Sequence, residues 1–204
     1  MLILHGGKRS PFVRRVAIWL GLQDRAFERR PVDLFGADFE SFRARNPLSR
    51  VPVLTTPDGD LIETAAIIDY LETTADPARR LLPAPGTERI ACQQVIARAH
   101  AVAEKGVAYV YETERRPPEL VWTDWVARLR SQLEQGLAAL EAQTPASAWF
   151  GGIRPDGADA AVVATVDFLG TVAGLCTPAT MPRLLALSER SRNIAAFAAT
   201  HPQA

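Results

Sequence analysis

The sequence predicts two domains of different class: an α/β N-terminal domain whose elements run β-α-β, connector, β-β-α around a mixed sheet, and an all-α C-terminal helical domain. Three observations carry this reading. Strand-like and helix-like periodicities alternate through residues 1–76. The stretch DPARRLLPAPGTE at 76–88, with three prolines and a glycine, then suits a connection better than an element. Beyond it the strand signal disappears and apolar residues recur only at helical spacing. The resulting boundaries are 1–76, a linker at 77–87, and a helical domain at 88–204.

LILH (2–5) opens the chain as a short apolar strand. SPFVRRVAIWLGL (10–22) follows as a helix, with Val13, Val16, Ala17 and Leu20 on one face and Arg14 and Arg15 on the other. Ser10 is its N-cap, Pro11 occupies the first helical position, where a missing N–H costs nothing, and Gly21 marks the exit. AFERRPVD (26–33) reads as a second strand in which Pro31 argues for an edge or an end. The connector 34–47 holds a short helix, DFESFRARN, that stops before Pro47. VPVLTT, the turn PDGD and LIET form a hairpin, and ETAAIIDYLETTA (63–75) closes the domain as a helix.

In the second domain, an Ala-rich helix is expected at 88–115, ending before Pro117-Pro118. A second at 119–143 carries Trp122, Trp125, Val126, Leu129, Leu133, Leu137 and Leu140. At 156–174 Asp156 caps a helix and Asp159 stands three residues on, a carboxylate pair matched to the N–H groups of a helix start. The all-round apolar run AAVVATV makes this helix central and buried. A last helix, MPRLLALSERSRNIAAF, runs toward the C-terminus.

Composition narrows the function. Of 204 residues 48% are hydrophobic, ample for buried cores, and Lys plus Arg equals Asp plus Glu at 23 each. Such a balance, with no basic run interleaved with aromatics, argues against a nucleic-acid partner. No stretch of eighteen apolar residues occurs and MLILHGG lacks a basic leader region, so the expectation is a cytoplasmic protein without a membrane partner. Cys92 and Cys176 lie outside any metal-ligand spacing, and no metal site is expected; both read as buried, inert thiols.

Four features have the chemistry of a ligand site. Ser10 sits at the head of a helix directly after the first strand, where N–H groups and the helix dipole favour an anion, although most N-cap serines simply cap. Pro52 interrupts a strand at Val51-Pro52-Val53; a cis bond there would turn the Val51 N–H and C=O outward as an edge for a peptide, whereas a trans proline would mark an ordinary strand start. Glu63-Thr64 brings a carboxylate and a hydroxyl to another helix start, suited to a ligand with both an ammonium and a carboxylate, or alternatively a plain Thr cap beside a solvated Glu. Arg50 adds a cation for a second carboxylate, or is solvated. Jointly they suit a short peptide with one thiol and charged ends.

SPFVRRV, NPLSRVPVL and LIETAAIIDYLE resemble, in order and spacing, the thioredoxin-like N-terminal domain of the glutathione transferase family, and GADAAVV and AAFAATHP resemble its helical C-terminal domain. The resemblance implies glutathione as co-substrate, without a metal. It places the γ-glutamyl end at Glu63 and Thr64, the cysteinyl backbone against Val51 ahead of a cis Pro52, and the glycyl carboxylate near Arg50. Ser10 matches the position that stabilises the thiolate, with Phe12 of the same motif among the glutathione contacts. Lowering a thiol pKa from about 8.5 by two units is worth ~2.7 kcal/mol, within reach of a hydroxyl hydrogen bond and helix-end N–H groups. The thiolate would attack a small hydrophobic electrophile, for which Tyr109, Tyr111 and Trp122 are either an apolar wall or core residues. A homodimer is implied. Three positions depart from the family pattern: Ser10 stands where several branches carry Tyr or Cys, Thr64 where Ser is commoner, and Ser49 where Gly is frequent. Peroxide reduction, dehalogenation, or glutathione binding without catalysis are the other activities the resemblance allows.

Overall fold

The computed structural model describes residues 1–171 and 175–202. It divides into two compact units, Met1–Pro83 with the segment from Arg192 onward, and Ala84–Ser191. In the first, β1 (Leu2–His5), α1 (Pro11–Leu22), β2 (Phe27–Arg30), β3 (Val53–Thr56), β4 (Gly59–Ile62) and α2 (Thr64–Thr73) follow in order. The sheet order is β2-β1-β3-β4, with β2 parallel to β1 and the other pairs antiparallel, which is the mixed sheet expected. The parallel β1–β2 pair requires the crossover that α1 supplies.

Prolines set several strand limits. β2 stops at Arg30, before Pro31, and β3 begins only at Val53, after Pro52, because neither proline has an N–H for the ladder. The hairpin turn is tighter than expected: Thr56 pairs with Gly59, leaving Pro57-Asp58 as the turn. The Thr56 hydroxyl fastens it by accepting from Asp58 N at 3.1 Å and donating to Gly59 O at 2.9 Å. The connector keeps a short 3₁₀ turn at Ser41–Ala44.

On helix α1, Arg14 and Arg15 stand on the face opposite Val13, Val16, Ala17 and Leu20, as the sequence reading has them, but the amphipathic pattern does not leave that face in water. Both are buried. Arg14 Nε donates to Thr200 O at 3.0 Å and its Nη2 to Phe197 O at 3.5 Å, while the Arg15 guanidinium lies over the Trp19 ring. These bonds account for the grouping of residues from Arg192 with the first unit rather than with 88–191. The turn Ala195–Ala198 packs on α1, with Ala196 against Gly21. The helix expected over 181–197 is therefore two pieces, Pro182–Ser191 and Ala195–Ala198. The Ser191 hydroxyl turns back to Ser188 O, and Ile194 takes an extended conformation between them.

Where α2 ends, the buried carboxylate of Glu72 collects four donors: Trp19 Nε1 at 2.9 Å, Gln23 Nε2 at 2.8 Å, Leu81 N at 3.1 Å and Leu82 N at 3.0 Å. It joins α1, α2 and the Pro-rich segment after them, whose first residues form a 3₁₀ turn, Pro77–Arg79.

The second unit holds α3 (Thr87–Val110), α4 (Thr123–Gln143), α5 (Gly157–Gly170) and α6 (Pro182–Ser191). Every residue of α5 from Gly157 to Leu169 is buried, as its all-round apolar pattern predicts; the last three residues of the expected 156–174 helix lie outside the described residues. α3 packs on α5 and α4. At Gly106 a side chain would meet Leu169 Cδ2 at 2.6 Å, so glycine permits the close approach of α3 to α5. The expected cap is a reciprocal box: Asp156 Oδ1 accepts from Ala158 N at 2.7 Å and Asp159 N at 3.2 Å, and Asp159 Oδ2 accepts from Asp156 N at 2.9 Å. Asp159 also accepts from Phe150 N and Gly151 N, tying the preceding loop to the helix. Burial pushes its carboxyl up to about 7, against the pull of those N–H donors. The helical stretch expected at 88–115 ends where it should, its last turn, Tyr111–Arg115, being π-helical, whereas α4 begins later than expected, after a 3₁₀ turn at Pro118–Leu120. The buried Glu112 carboxylate stabilises this exit, holding Arg116 Nε at 2.7 Å and Trp122 N at 3.4 Å. Among the described residues no helix is long and apolar enough to cross a membrane.

Replacing Glu72 with Ala removes the acceptor of four donors in a buried place. Urea denaturation should show a loss of ~3 kcal/mol or more, with Glu72→Gln, which keeps one acceptor oxygen, losing less.

Candidate functional site

The sheet register gathers the first-unit site residues. Because Val53 pairs with both His5 and Ile62, the chain before β3, the end of β1 and the end of β4 meet at one end of the sheet. Val51 and Pro52 lie just before β3, Glu63 and Thr64 just after β4, and Ser10 follows β1 by a short loop. Tyr109, Tyr111 and Trp122 belong to the second unit.

Ser10 is the N-cap of α1, its Oγ accepting from Val13 N at 3.3 Å. That bond uses an oxygen lone pair and leaves the hydroxyl proton available; among the described residues no acceptor takes it. Phe12, in the first turn, is buried. The first turn carries no acidic side chain that would compete for the positive helix end.

The Val51–Pro52 peptide bond is cis. Among the described residues the Val51 N–H and C=O make no hydrogen bond, since the β3 ladders begin at Val53. Gly6, which the sequence reading passed over, makes room for this edge: with φ +134° it carries no Cβ, which would stand 2.4 Å from Val13 Cγ2 and 3.0 Å from Val51 Cβ. Arg50 is exposed, and Ser49, at φ +46°, takes the left-handed conformation that glycine would adopt without cost. Its hydroxyl donates to Phe39 O at 2.8 Å. Asn46, also missed, is buried beneath this loop. Its Nδ2 donates to Arg50 O at 2.9 Å and its Oδ1 accepts from Leu48 N at 3.0 Å. The Asn-Pro pair at 46–47, a turn-initiating dipeptide, was the available signal.

Glu63 is exposed at φ +67° and its side chain caps nothing. α2 thus starts with Thr64, which is buried, and with first-turn N–H groups that its N-cap side chain leaves to other partners. Of the three residues read as either wall or core, Tyr111 is 49% and Trp122 64% exposed. Tyr109 is half-buried beside Arg130.

The protein's own thiols are poor nucleophiles. Burial pushes Cys92 up to about 12, with its Sγ donating to Asp156 Oδ2 at 3.6 Å, and Cys176 up to about 11. His5, behind Val53, is buried with Nε2 3.0 Å from Thr55 Oγ1. The Thr55 hydroxyl donates its single proton to Asp60 Oδ1, so the His5 Nε2 must be the donor in that contact. Arg45 Nη1 completes the network on Asp60 Oδ2 at 2.7 Å.

A mixed sheet with an opened edge before β3, two helix starts beside it, and a separate helical unit defines a thioredoxin-like domain joined to an all-helical one, the architecture of glutathione transferases. Comparison with known proteins agrees. Residues 4–79 match the family model of the glutathione S-transferase N-terminal domain and residues 123–197 that of its C-terminal domain. A maleylacetoacetate isomerase of Rhizobium meliloti (strain 1021) is 32% identical over 98% of this chain and 95% of its own length. Among solved structures, a glutathione S-transferase of Methylobacterium radiotolerans in complex with glutathione sulfonate is 26% identical, with a TM-score of 0.88 over 98% of this chain and 94% of that one. One from Methylobacillus flagellatus KT with glutathione bound has the same score and identity over 99% and 100%. The chain belongs to the glutathione S-transferase family.

Burial, and after it the charge of Arg45, holds the His5 imidazole below its ordinary 6.5. As pH falls through 6.5 the unfolded chain takes up this proton before the folded one, so stability is lost on the acid side, by at most ~1.4 kcal/mol per pH unit. Urea midpoints of the wild type and His5→Gln between pH 7.5 and 5.5 should separate in that sense, the wild type losing more.

Proposed function

We propose that the protein is a glutathione transferase in which the Ser10 hydroxyl stabilises the glutathione thiolate for attack on small hydrophobic electrophiles. The observation that carries this is the state of Ser10: its oxygen is engaged by Val13 N–H at the positive end of α1, and its proton is left for an anion, at the sheet end where the Val51 edge is open. Glutathione bound in one similar structure and glutathione sulfonate in another support the choice of peptide.

On this reading the cysteinyl backbone pairs with Val51 N–H and C=O, beside Pro52 and Phe12. The γ-glutamyl ammonium meets Glu63, its carboxylate meets Thr64 and the start of α2, and the glycyl carboxylate meets Arg50. Bound there, the thiol loses its proton to solvent and the Ser10 O–H donates to the sulfur anion. The sulfur then forms a bond to an electrophilic carbon, which releases its leaving group or, in an activated alkene, passes its π electrons to the activating group. Tyr109, Tyr111 and Trp122 supply apolar surface for that second substrate.

A second reading is favoured by the full-length likeness to a maleylacetoacetate isomerase. Thiolate addition to an electron-poor double bond, rotation about the resulting single bond and elimination of the thiolate would isomerise an alkene without consuming glutathione. Conjugation uses one glutathione per turnover and isomerisation none, so following thiol and alkene together separates them.

The Ser10→Ala variant should bind glutathione with nearly unchanged affinity but raise the pKa of the bound thiol and cut kcat ten-fold or more, since a charge-assisted hydrogen bond is worth ~1.5–3 kcal/mol. Unchanged turnover would remove Ser10 from its role, and bound glutathione without thiolate absorbance at neutral pH in the wild type would make the protein a glutathione-binding protein without transferase chemistry.

The protein is further read as a cytoplasmic homodimer. Two free cysteines suit a reducing compartment, and Leu48 and Ile90, each 64% exposed, are apolar surface that a second copy would cover. Sedimentation at micromolar concentration should give twice the mass of one chain; a monomer would remove this part of the reading.

A further inference from the structure

We propose that Asn46 is the positioning residue that aims the Val51 N–H at the glutathione backbone. The inference rests on the reading of Val51 as the docking edge and adds to it the group that sets its direction.

Asn46 is 1% exposed, and both ends of its carboxamide are used inside one five-residue loop. Leu48 N is a donor only and Arg50 O an acceptor only, so the two contacts fix which end of the amide is which: Oδ1 takes Leu48 N at 3.0 Å and Nδ2 gives to Arg50 O at 2.9 Å. The Asn46 carbonyl also accepts from Ser49 N at 2.8 Å. The consequential bond is the one to Arg50 O, because that oxygen belongs to the same peptide plane as Val51 N–H. In a trans peptide the C=O and N–H point in opposite directions. Holding Arg50 O inward on Asn46 therefore turns the Val51 N–H to the other side, where no acceptor among the described residues takes it. The peptide plane shared by Arg50 and Val51, two residues proposed to contact adjacent parts of glutathione, is thereby held by one buried side chain that touches neither ligand nor reacting atom.

The carboxamide is needed for its two-sided character. Aspartate has the same shape and keeps the acceptor for Leu48 N, but ionised it has no proton for Arg50 O and sets lone pairs against it. The peptide plane is then released, and the Val51 N–H no longer has a preferred direction. Ser10 lies on a different element and its influence on sulfur is untouched.

The test is Asn46→Asp in the full-length protein. Glutathione affinity would be measured by calorimetry, thiol ionisation in the saturated complex by thiolate absorbance, and the Val51 amide proton by NMR. The expected result is a dissociation constant raised about 10-fold or more, an unchanged pKa of the bound thiol, and a smaller glutathione-induced shift of the Val51 amide than in the wild type. Affinity should recover toward the wild-type value as the pH is lowered and the introduced carboxyl regains a proton to donate, a recovery that a merely weakened loop would not show. Wild-type affinity in Asn46→Asp, or lost affinity with the full Val51 shift, overturns the proposal. Should the variant fail to fold, the wild type decides: the Asn46 side-chain amide protons must be protected from solvent exchange, and exchange at the rate of an exposed amide overturns it. If instead glutathione binds the wild type without moving the Val51 amide, the docking reading itself falls.

Discussion

The structure is organised by a conflict at one strand. β3 is an inner strand and must pair with β1 on one side and β4 on the other to hold the sheet together, yet the residue two places before it has to stay out of both ladders if a peptide is to add there. Pro52 separates the two demands. It has no N–H to offer, so both ladders begin at Val53 and Val51 is outside them. The rest of the first unit accommodates that choice: Gly6 gives up its side chain so that β1 ends close to Val51, Ser49 accepts a left-handed backbone to bend the loop, and Asn46 supplies the hydrogen bonds that the bent loop cannot make to itself.

Three helix starts show how the same physics serves structure in one place and chemistry in another. At α5 two carboxylates face the first-turn N–H groups and the loop before them; the box is complete, buried, and has acceptors enough for its donors. α1 and α2 have no acidic side chain in their first turns, and their caps are a hydroxyl with a proton to spare and an exposed carboxylate that bonds to neither helix end. A complete cap fixes a fold. An incomplete one retains attraction for an anion, and both incomplete caps stand at the end of the sheet where Val51 is open. Cys92 and Cys176 lie away from both of these helix starts in the chain and are held as neutral thiols by burial.

Features governed by neighbours in sequence were legible. The order of strands and helices followed from periodicity, the caps at Ser10 and Asp156 from residue type and spacing, and the burial of α5 from its lack of a polar face. Features that depend on a partner brought by topology were not. Arg14 and Arg15 have the spacing of a solvent face, but the carbonyls that bury Arg14 come from Phe197 and Thr200, at the far end of the chain. Glu72 looks like an ordinary helix carboxylate until α1 and the following segment deliver their N–H groups to it. Within the site, the polar residues that announce ligand chemistry, Ser10, Arg50, Glu63 and Thr64, stood out, whereas Asn46 and Gly6, which act on backbone geometry, carried no more than a turn signature.

The two units also divide the proposed chemistry by how tightly their surfaces are specified. The contacts proposed for glutathione all come from the first unit, from Arg50, Val51 and the residues that open α1 and α2, and Asn46 holds the peptide plane that Arg50 and Val51 share. The surface assigned to the electrophile is made of side chains at the end of α3 and before α4, where Tyr111 and Trp122 are exposed although the backbone carrying them is braced by Glu112. A braced backbone with exposed side chains allows the residues in that segment to differ without altering how the chain folds.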